Sequence, residues 1–137
     1  MSAPTPPDGP PRHPERVAGI FVAIVWAALV FAVFGVLAVL LDRDPVERPV
    51  GPYFGLVAMA LALGVVYLGI VLTTPARSPW LGAVSTAAGV YLVILAAALV
   101  TDTSLALEQA VSPFVLAAAL LAPLPPIACW AYFRMRR

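Results

Sequence analysis

The sequence predicts an all-α, polytopic membrane protein whose four transmembrane helices form a bundle. The first observation is composition: 62% of the 137 residues are hydrophobic and 11% are charged, whereas a soluble domain is about 45–50% apolar and about 25% charged. The second is a set of four long apolar runs, and the third is a proline signal at the start of each run. A chain of this size cannot hide so much apolar surface in its own core, so its solvent is lipid.

Each apolar run is long enough to cross the bilayer as a helix. About 20 residues rising ~1.5 Å each span a hydrocarbon core of about 30 Å. Helix is the expected conformation because lipid offers no partner to an unpaired backbone group. No run contains Asp, Glu, Lys, Arg or His. The predicted spans are Val17–Leu41, Tyr53–Leu72, Trp80–Val100 and Phe114–Phe133.

Proline marks the helix starts. Ser78-Pro79 and Ser112-Pro113 each read as a capping serine followed by a proline at the first helical position. Proline is tolerated there because its missing N–H would have no partner inside the helix anyway. The first two spans carry similar signals.

The arginines predict the orientation. Six lie at the side that holds both termini and two lie in the first connecting loop, so the positive-inside rule places both termini in the cytoplasm. All basic residues are arginines, and the abundance of Ala, Val, Pro and Gly indicates a GC-rich bacterial genome, hence a bacterial plasma membrane. Residues 1–14 contain six prolines and predict a disordered cytoplasmic tail, followed by a membrane domain over residues 15–137.

Small residues recur every seven positions in the second and third spans, which places them on one face of each helix. Membrane helices approach closely along such faces. The candidate packing residues are Gly55, Ala62 and Gly69 in the second span, and Gly82, Gly89 and Ala96 in the third. Counting outward from the short loop pairs Gly69 with Gly82, Ala62 with Gly89, and Gly55 with Ala96. This predicts a tightly packed antiparallel hairpin, although chance could also give such stripes.

The fourth span contains Pro123, Pro125 and Pro126, about 15–20 Å beyond its start at 1.5 Å per residue and so near the bilayer midplane. Each proline lacks an N–H and clashes with the carbonyl four residues earlier. We therefore expect the fourth helix to kink or break between Pro123 and Pro126. Freed carbonyls are costly in hydrocarbon unless a donor satisfies them, and Tyr91, at a similar depth, is the proposed donor.

The loop between the third and fourth spans is less determined. Its sequence TDTSLALEQAVSP carries Leu105, Leu107 and Val111. These residues are compatible with a short helical turn on the bilayer surface, and equally with an irregular loop.

Enzymatic function is not expected. No nucleophile–base pair, phosphate loop or metal motif is present, so no catalytic residue, metal ligand or cofactor is predicted. The acids of the first loop are expected to be solvated, and the single cysteine, Cys129, is expected to serve as a small apolar packing residue. The net charge of +1 gives no indication of a nucleic-acid partner. Proton- or cation-coupled transport normally needs an ionisable group within a span, and these spans have none.

Two roles remain. The favoured one is a non-catalytic accessory or scaffold subunit that packs in the lipid bilayer against another membrane protein, or against itself, through small-residue helix faces. The alternative is a small channel or a carrier of a lipid or solute. Its site would lie at the Pro123–Pro126 break, because discontinuous helices at the midplane form binding sites in transporters.

Overall fold

The computed structural model describes residues 2–4, 9 and 13–137. The predicted disordered tail, residues 1–14, falls largely outside the described residues. Throughout the described ranges the regular secondary structure is helical, with no strand, which confirms the predicted class. The helices are α1 (Pro14–Leu41), α2 (Tyr53–Thr73), α3 (Trp80–Thr101), α4 (Thr103–Ala110), α5 (Pro113–Leu121) and α6 (Leu124–Met135).

Among the described residues, four helical segments are long and apolar enough to cross a membrane: α1, α2, α3 and the segment Pro113–Met135, which contains α5 and α6. Each corresponds to a predicted span. Most of their apolar side chains lie on the outside of the bundle, and in α1 only 17% of the most apolar window is buried. So large an apolar surface is stable only when lipid covers it.

The proline signals mark the helix starts. Pro14 and Pro113 occupy the first turns of α1 and α5, while Pro52 and Pro79 immediately precede α2 and α3 with right-handed helical dihedrals. Ser112 has the extended conformation of an N-cap, but its side chain makes no capping hydrogen bond. The prolines, rather than serine hydroxyls, therefore set these helix starts.

The bundle is built around the pair formed by α2 and α3, which share the most extensive contact between any two helices. α1 and α6 pack against α2, and α5 packs against α3 and α1. The centre of the core holds Val30 of α1, Val66 and Ile70 of α2, and Val90 of α3, all fully buried. The predicted hairpin of the second and third spans is therefore the centre of the fold.

The two ends of the bundle differ in their polar contacts. At the end where α1 begins and α6 finishes, called here the termini end, Trp130 Nε1 donates to the carbonyl oxygen of Ala76 at 2.9 Å. Arg134 donates to the carbonyl oxygen of Arg77 at 3.2 Å. These bonds fix the last turns of α6 against the loop between α2 and α3. The opposite end, called the loop end, carries residues 42–52 and α4.

α4 resolves the ambiguity of the loop before the fourth span in favour of a helix. The carboxylate of Asp102 caps its N-terminus by accepting from the backbone N–H of Ser104 at 2.7 Å and of Leu105 at 3.4 Å. A hydrogen bond from the Ser104 hydroxyl, together with these two backbone bonds, lowers the pKa of Asp102. Of the three apolar side chains noted in the sequence, Leu105 is buried, whereas Leu107 and Val111 are exposed.

Candidate functional site

Three of the six predicted packing residues lie in the contact between α2 and α3. A Cβ atom placed on Gly82 would lie 2.9 Å from the Cβ of Thr73, and one on Gly89 would lie 2.7 Å from the Cγ1 of Val65. A Cβ on Gly69 would collide with the side chain of Thr86. Each glycine therefore receives a side chain of the opposite helix.

Gly69 and Gly82 each receive the side chain of a threonine of the opposite helix, which fills the space that the missing side chains leave. The pairing of Gly69 with Gly82 at matching depth stays a prediction. Ala62 is buried in the core. Gly55 and Ala96 are exposed, and nothing lies within 4 Å of the Cβ position of Gly55. The small-residue contact thus extends over only part of the two helices.

The threonines of this contact differ in their hydrogen bonding. Thr74 and Thr86 donate to the carbonyl oxygens of Ile70 and Gly82, four residues earlier, both at 2.7 Å. Thr73 is buried, and its hydroxyl has no partner among the described residues. Its side chain occupies the space above Gly82, so packing rather than hydrogen bonding sets its orientation.

Tyr91 does not take its predicted role. Its hydroxyl donates to the carbonyl oxygen of Ala110, at the last residue of α4, at 2.7 Å, and not to a carbonyl freed by the prolines. The carbonyls at the end of a helix lack intrahelical donors, and one of them lies closer to Tyr91 than the break does. Tyr91 therefore ties α3 to α4 at the loop end.

α5 ends and α6 begins at the prolines of the fourth span, and the predicted kink or break there stays a prediction. α5 ends at Leu121 and α6 begins at Leu124, while the intervening Ala122 and Pro123 keep right-handed helical dihedrals. Pro125 and Pro126 lie in the first turn of α6, where N–H groups have no intrahelical acceptor. The prolines thus lose few hydrogen bonds, because they begin a new helix. The bend itself stays a prediction.

Apolar recesses of ≈ 460 Å³ and ≈ 440 Å³ lie between α2 and α3 and between α1 and α6, and a more enclosed one lies between α1 and α2. It is a cavity of ≈ 400 Å³, within the range of roughly 300–1,000 Å³ typical of ligand pockets. It extends from Trp26, near the middle of α1, to Pro45 and Gln109 at the loop end. None of its lining residues is charged. We call it the lateral cavity.

The lateral cavity arises because α1 and α2 diverge. At the termini end, a Cβ on Gly19 would lie 3.3 Å from the side chains of both Ile70 and Tyr67, so the two helices are in close contact. Towards the loop end, Gly35 on α1 and Gly55 on α2 line the cavity, and nothing lies within 4 Å of either Cβ position. Both glycines are exposed, so the cavity opens sideways, towards lipid.

α5 forms the wall opposite this opening. Phe114 of α5 meets Phe34 of α1 edge to face, with ring centroids 5.4 Å apart and an interplanar angle of 82°. This is a favourable aromatic geometry. Both rings line the lateral cavity, so the contact closes the side between α1 and α5 and leaves the side between α1 and α2 open.

Residues 42–52 and α4 together roof the cavity. Arg48 pairs with Glu108 at 2.6 Å and donates to the hydroxyl of Ser104, while Gln109 Nε2 donates to the Pro45 carbonyl oxygen at 3.3 Å. The Arg48–Glu108 pair is about half exposed and so contributes at most about 1 kcal/mol. The roof is thus held by several weak polar contacts.

A second ion pair lies within the roof. Arg43 donates to Glu47 at 2.6 Å, and this hydrogen bond and the charge of Arg43 lower the pKa of Glu47. Both side chains are exposed, so the pair adds little stability. Arg43 and Glu47 are thus paired with each other at an exposed site, which agrees with the expectation that the acids of this loop are solvated.

A buried polar group beside the cavity, the indole of Trp26, was not among the predicted site residues. Trp26 is 2% exposed, lines the deep end of the cavity, and its indole N–H has no acceptor among the described residues. A buried donor without a partner costs roughly 1–3 kcal/mol. The signal was available: membrane tryptophans concentrate at the interfaces, whereas Trp26 lies near the middle of its span.

Within the described ranges, no three His, Cys, Asp or Glu residues lie together in a way that could hold a metal ion. Cys129, 4% exposed, is packed in the core beside α1 and α2. The lateral cavity, apolar and open to lipid, is therefore the candidate functional site.

Comparisons with protein-family models, with curated proteins and with solved structures find no match for this chain.

Proposed function

We propose that this chain is a non-catalytic membrane protein that binds an apolar molecule from the bilayer in the lateral cavity. The observation that carries the proposal is the cavity between α1 and α2, whose lining includes Gly35 and Gly55, each with nothing within 4 Å of its Cβ position. Glycine weakens a helix by about 1 kcal/mol relative to alanine. Its presence on both walls is most useful where a ligand approaches the backbone closely.

This proposal is a form of the carrier alternative in which the binding site is the lateral cavity and not the break at Pro123–Pro126. The break at Pro123–Pro126 adjoins buried side chains rather than an open polar path: Ala122, Pro125 and Pro126 are all buried. A volume of ≈ 400 Å³ lies at the lower end of the range for ligand pockets. It suits one hydrocarbon chain better than a whole two-chain lipid.

Filling the cavity tests the proposal. We expect Gly35→Leu and Gly55→Leu each to lower the amount of co-purifying ligand about tenfold or more, corresponding to about 1.4 kcal/mol of lost contact. Both residues line the cavity and both Cβ positions are open, so leucine is accommodated at either position without a clash. The measurement is native mass spectrometry of protein extracted from its own membranes in mild detergent.

Gly64→Leu is the matched control. Gly64 also has nothing within 4 Å of its Cβ position, is exposed on α2, and does not line the lateral cavity. It should retain the ligand at the native level. If all three variants retain ligand equally, or if the native protein carries none, the lateral cavity is not a binding site.

An accessory subunit is the second candidate role. The observation that favours it is a different pair of small residues, Ala60 and Gly64, exposed one turn apart on α2. The residues first considered for this role are less suitable, since Gly69, Gly82 and Gly89 are used within the chain. A stoichiometric second protein in the same spectra, lost in Gly64→Leu, would support this role.

We further propose that the protein lies in a bacterial plasma membrane with both termini in the cytoplasm. The support is the arginine distribution, because the loop end has two of the eight arginines. In a Cys129→Ala background, Thr103→Cys should react with a membrane-impermeant maleimide on intact cells, whereas Ser78→Cys should react only after permeabilisation. Both positions are exposed, at opposite ends of the bundle. The reverse labelling pattern would invert the topology.

A further inference from the structure

We propose that a basic recess at the termini end holds the phosphate of an anionic lipid head group. The recess has a volume of ≈ 190 Å³ and lies between the loop that joins α2 to α3 and the end of α6. Three arginines line it: Arg77 in the loop, Arg134 in α6, and Arg137 just after α6. It shares no lining residue with the lateral cavity, so the inference goes beyond the proposed function.

The positive charge of the recess is not offset by acidic side chains. None of its lining residues is acidic, and the described ion pairs that involve arginine are those of Arg43 and Arg48 at the loop end. Five of the seven acidic residues also belong to that end, namely Asp42, Asp44, Glu47, Asp102 and Glu108. The guanidinium groups around the recess therefore repel one another, and an anion bound among them relieves that repulsion.

Arg134 is already held in a fixed orientation. Its Nη1 donates to the carbonyl oxygen of Arg77 at 3.2 Å, and its guanidinium lies over the ring of Trp130, 5.0 Å from the centroid. A guanidinium carries several N–H donors, so this bond leaves others for a ligand. Such planar donor groups match the oxygens of a phosphate. Because the side chain is ordered beforehand, binding loses less entropy.

The position of the recess indicates a lipid as the carrier of the phosphate. Trp80, at the start of α3, and Tyr132, near the end of α6, are exposed at the same end of the bundle. Exposed Trp and Tyr at helix ends are typical of the membrane–water interface, where the head groups lie. The recess is smaller than the roughly 300–1,000 Å³ of pockets for whole ligands, so it suits a head group whose chains stay in the bilayer.

The probes are phosphatidylglycerol and phosphatidylcholine with the same acyl chains, each titrated into micelles of the delipidated protein. Bound lipids are counted by native mass spectrometry. Both lipids carry a phosphate, but the choline cation offsets its charge. We expect phosphatidylglycerol to bind about tenfold more tightly, as charge-assisted hydrogen bonds would give. Arg77→Gln and Arg134→Gln should each remove most of this preference.

Arg136→Gln is the matched control. Arg136 is a near neighbour in the chain, but its guanidinium lies over the ring of Tyr132 and does not line the recess. This variant removes the same charge and should keep the preference. The affinity for phosphatidylcholine should be unchanged in all variants, which shows that they fold. Equal binding of the two lipids to the native protein, or an equal loss in all three variants, would overturn the site.

Excess inorganic phosphate distinguishes a lipid from a soluble source. Phosphatidylglycerol is also held by its chains in the micelle, so it should stay bound when inorganic phosphate is added. Displacement of the lipid by inorganic phosphate in the native protein would overturn the lipid assignment and make the recess a site for a soluble phosphate.

Discussion

Gly82→Leu is expected to separate α2 from α3 and to destabilise the protein more than any other single glycine replacement in the bundle. The Cβ alone would lie 2.9 Å from the Cβ of Thr73 and 3.0 Å from its Cγ2. Thr73 is β-branched and therefore restricted in its rotamers within a helix, so it cannot turn aside cheaply. Overpacking of this kind costs about 1–3 kcal/mol, and more where backbone must move. The measurement is the free energy of unfolding in bicelles.

Gly64→Leu provides the comparison for this prediction as well. It introduces the same side chain into the neighbouring helix at a site with open space around the Cβ, and leucine is a better helix former than glycine. Its stability should equal or exceed that of the native protein. Comparable destabilisation by both replacements would show that the glycine contact does not hold α2 and α3 together.

Ala128→Pro is the second replacement with a large expected effect. Residue 128 follows the first turn of α6, and the helical pattern pairs its N–H with the carbonyl of Leu124. Proline removes that bond and clashes with the same carbonyl, which costs about 3 kcal/mol or more. We expect α6 to be disrupted and the bond from Trp130 to Ala76 to be lost. Hydrogen exchange of the α6 amides, together with unfolding in bicelles, would measure this.

Pro126→Ala is the control, because it changes a proline that lies within the first turn of α6. No intrahelical bond is missing there, so the change in stability should be no more than about 1 kcal/mol, mostly from the unfolded chain. If Pro126→Ala instead stabilised the protein by several kcal/mol, the prolines would be interrupting a helix rather than beginning one.

The class of fold was predictable from the sequence because each span depends on local properties. Apolar length, the absence of charge and the proline starts are all contained within single segments, and the predicted Val17–Leu41 differs from the observed α1 only by three residues at its start. The early start at Pro14 brings Glu15 and Arg16 into the first turn. The charges of Glu15 and Arg16 set the start of the apolar run at Val17, but they do not prevent α1 from beginning earlier.

The contacts between helices were less predictable, since they depend on how two helices are rotated and inclined. Periodicity correctly placed Gly69, Gly82 and Gly89 on the face between α2 and α3 but could not indicate that each faces a side chain. Tyr91 was placed by depth alone, and its partner at Ala110 belongs to a helix whose existence the sequence left open.

The lateral cavity could not be predicted from the sequence, because it also depends on how the helices are rotated and inclined. It requires the close contact at Gly19 and the separation at Gly35 and Gly55, and no local pattern distinguishes these three glycines. Trp26 was the exception. An indole in the middle of a span is a local feature that calls for an acceptor, and the structure provides none among the described residues.

Because the lateral cavity opens sideways between α1 and α2, the concentration that governs binding there is the concentration of the ligand in the bilayer. An occupant of the proposed site enters past Gly35 and Gly55 from the bilayer, so its mole fraction in one leaflet is the concentration against which binding is measured. Two solutes of equal intrinsic fit then occupy the site in proportion to their abundance in that leaflet. Because the roof at residues 42–52 lies at one end of the bundle, the proposed site draws on the leaflet at that end, and a difference in composition between the two leaflets would then affect which molecule occupies it.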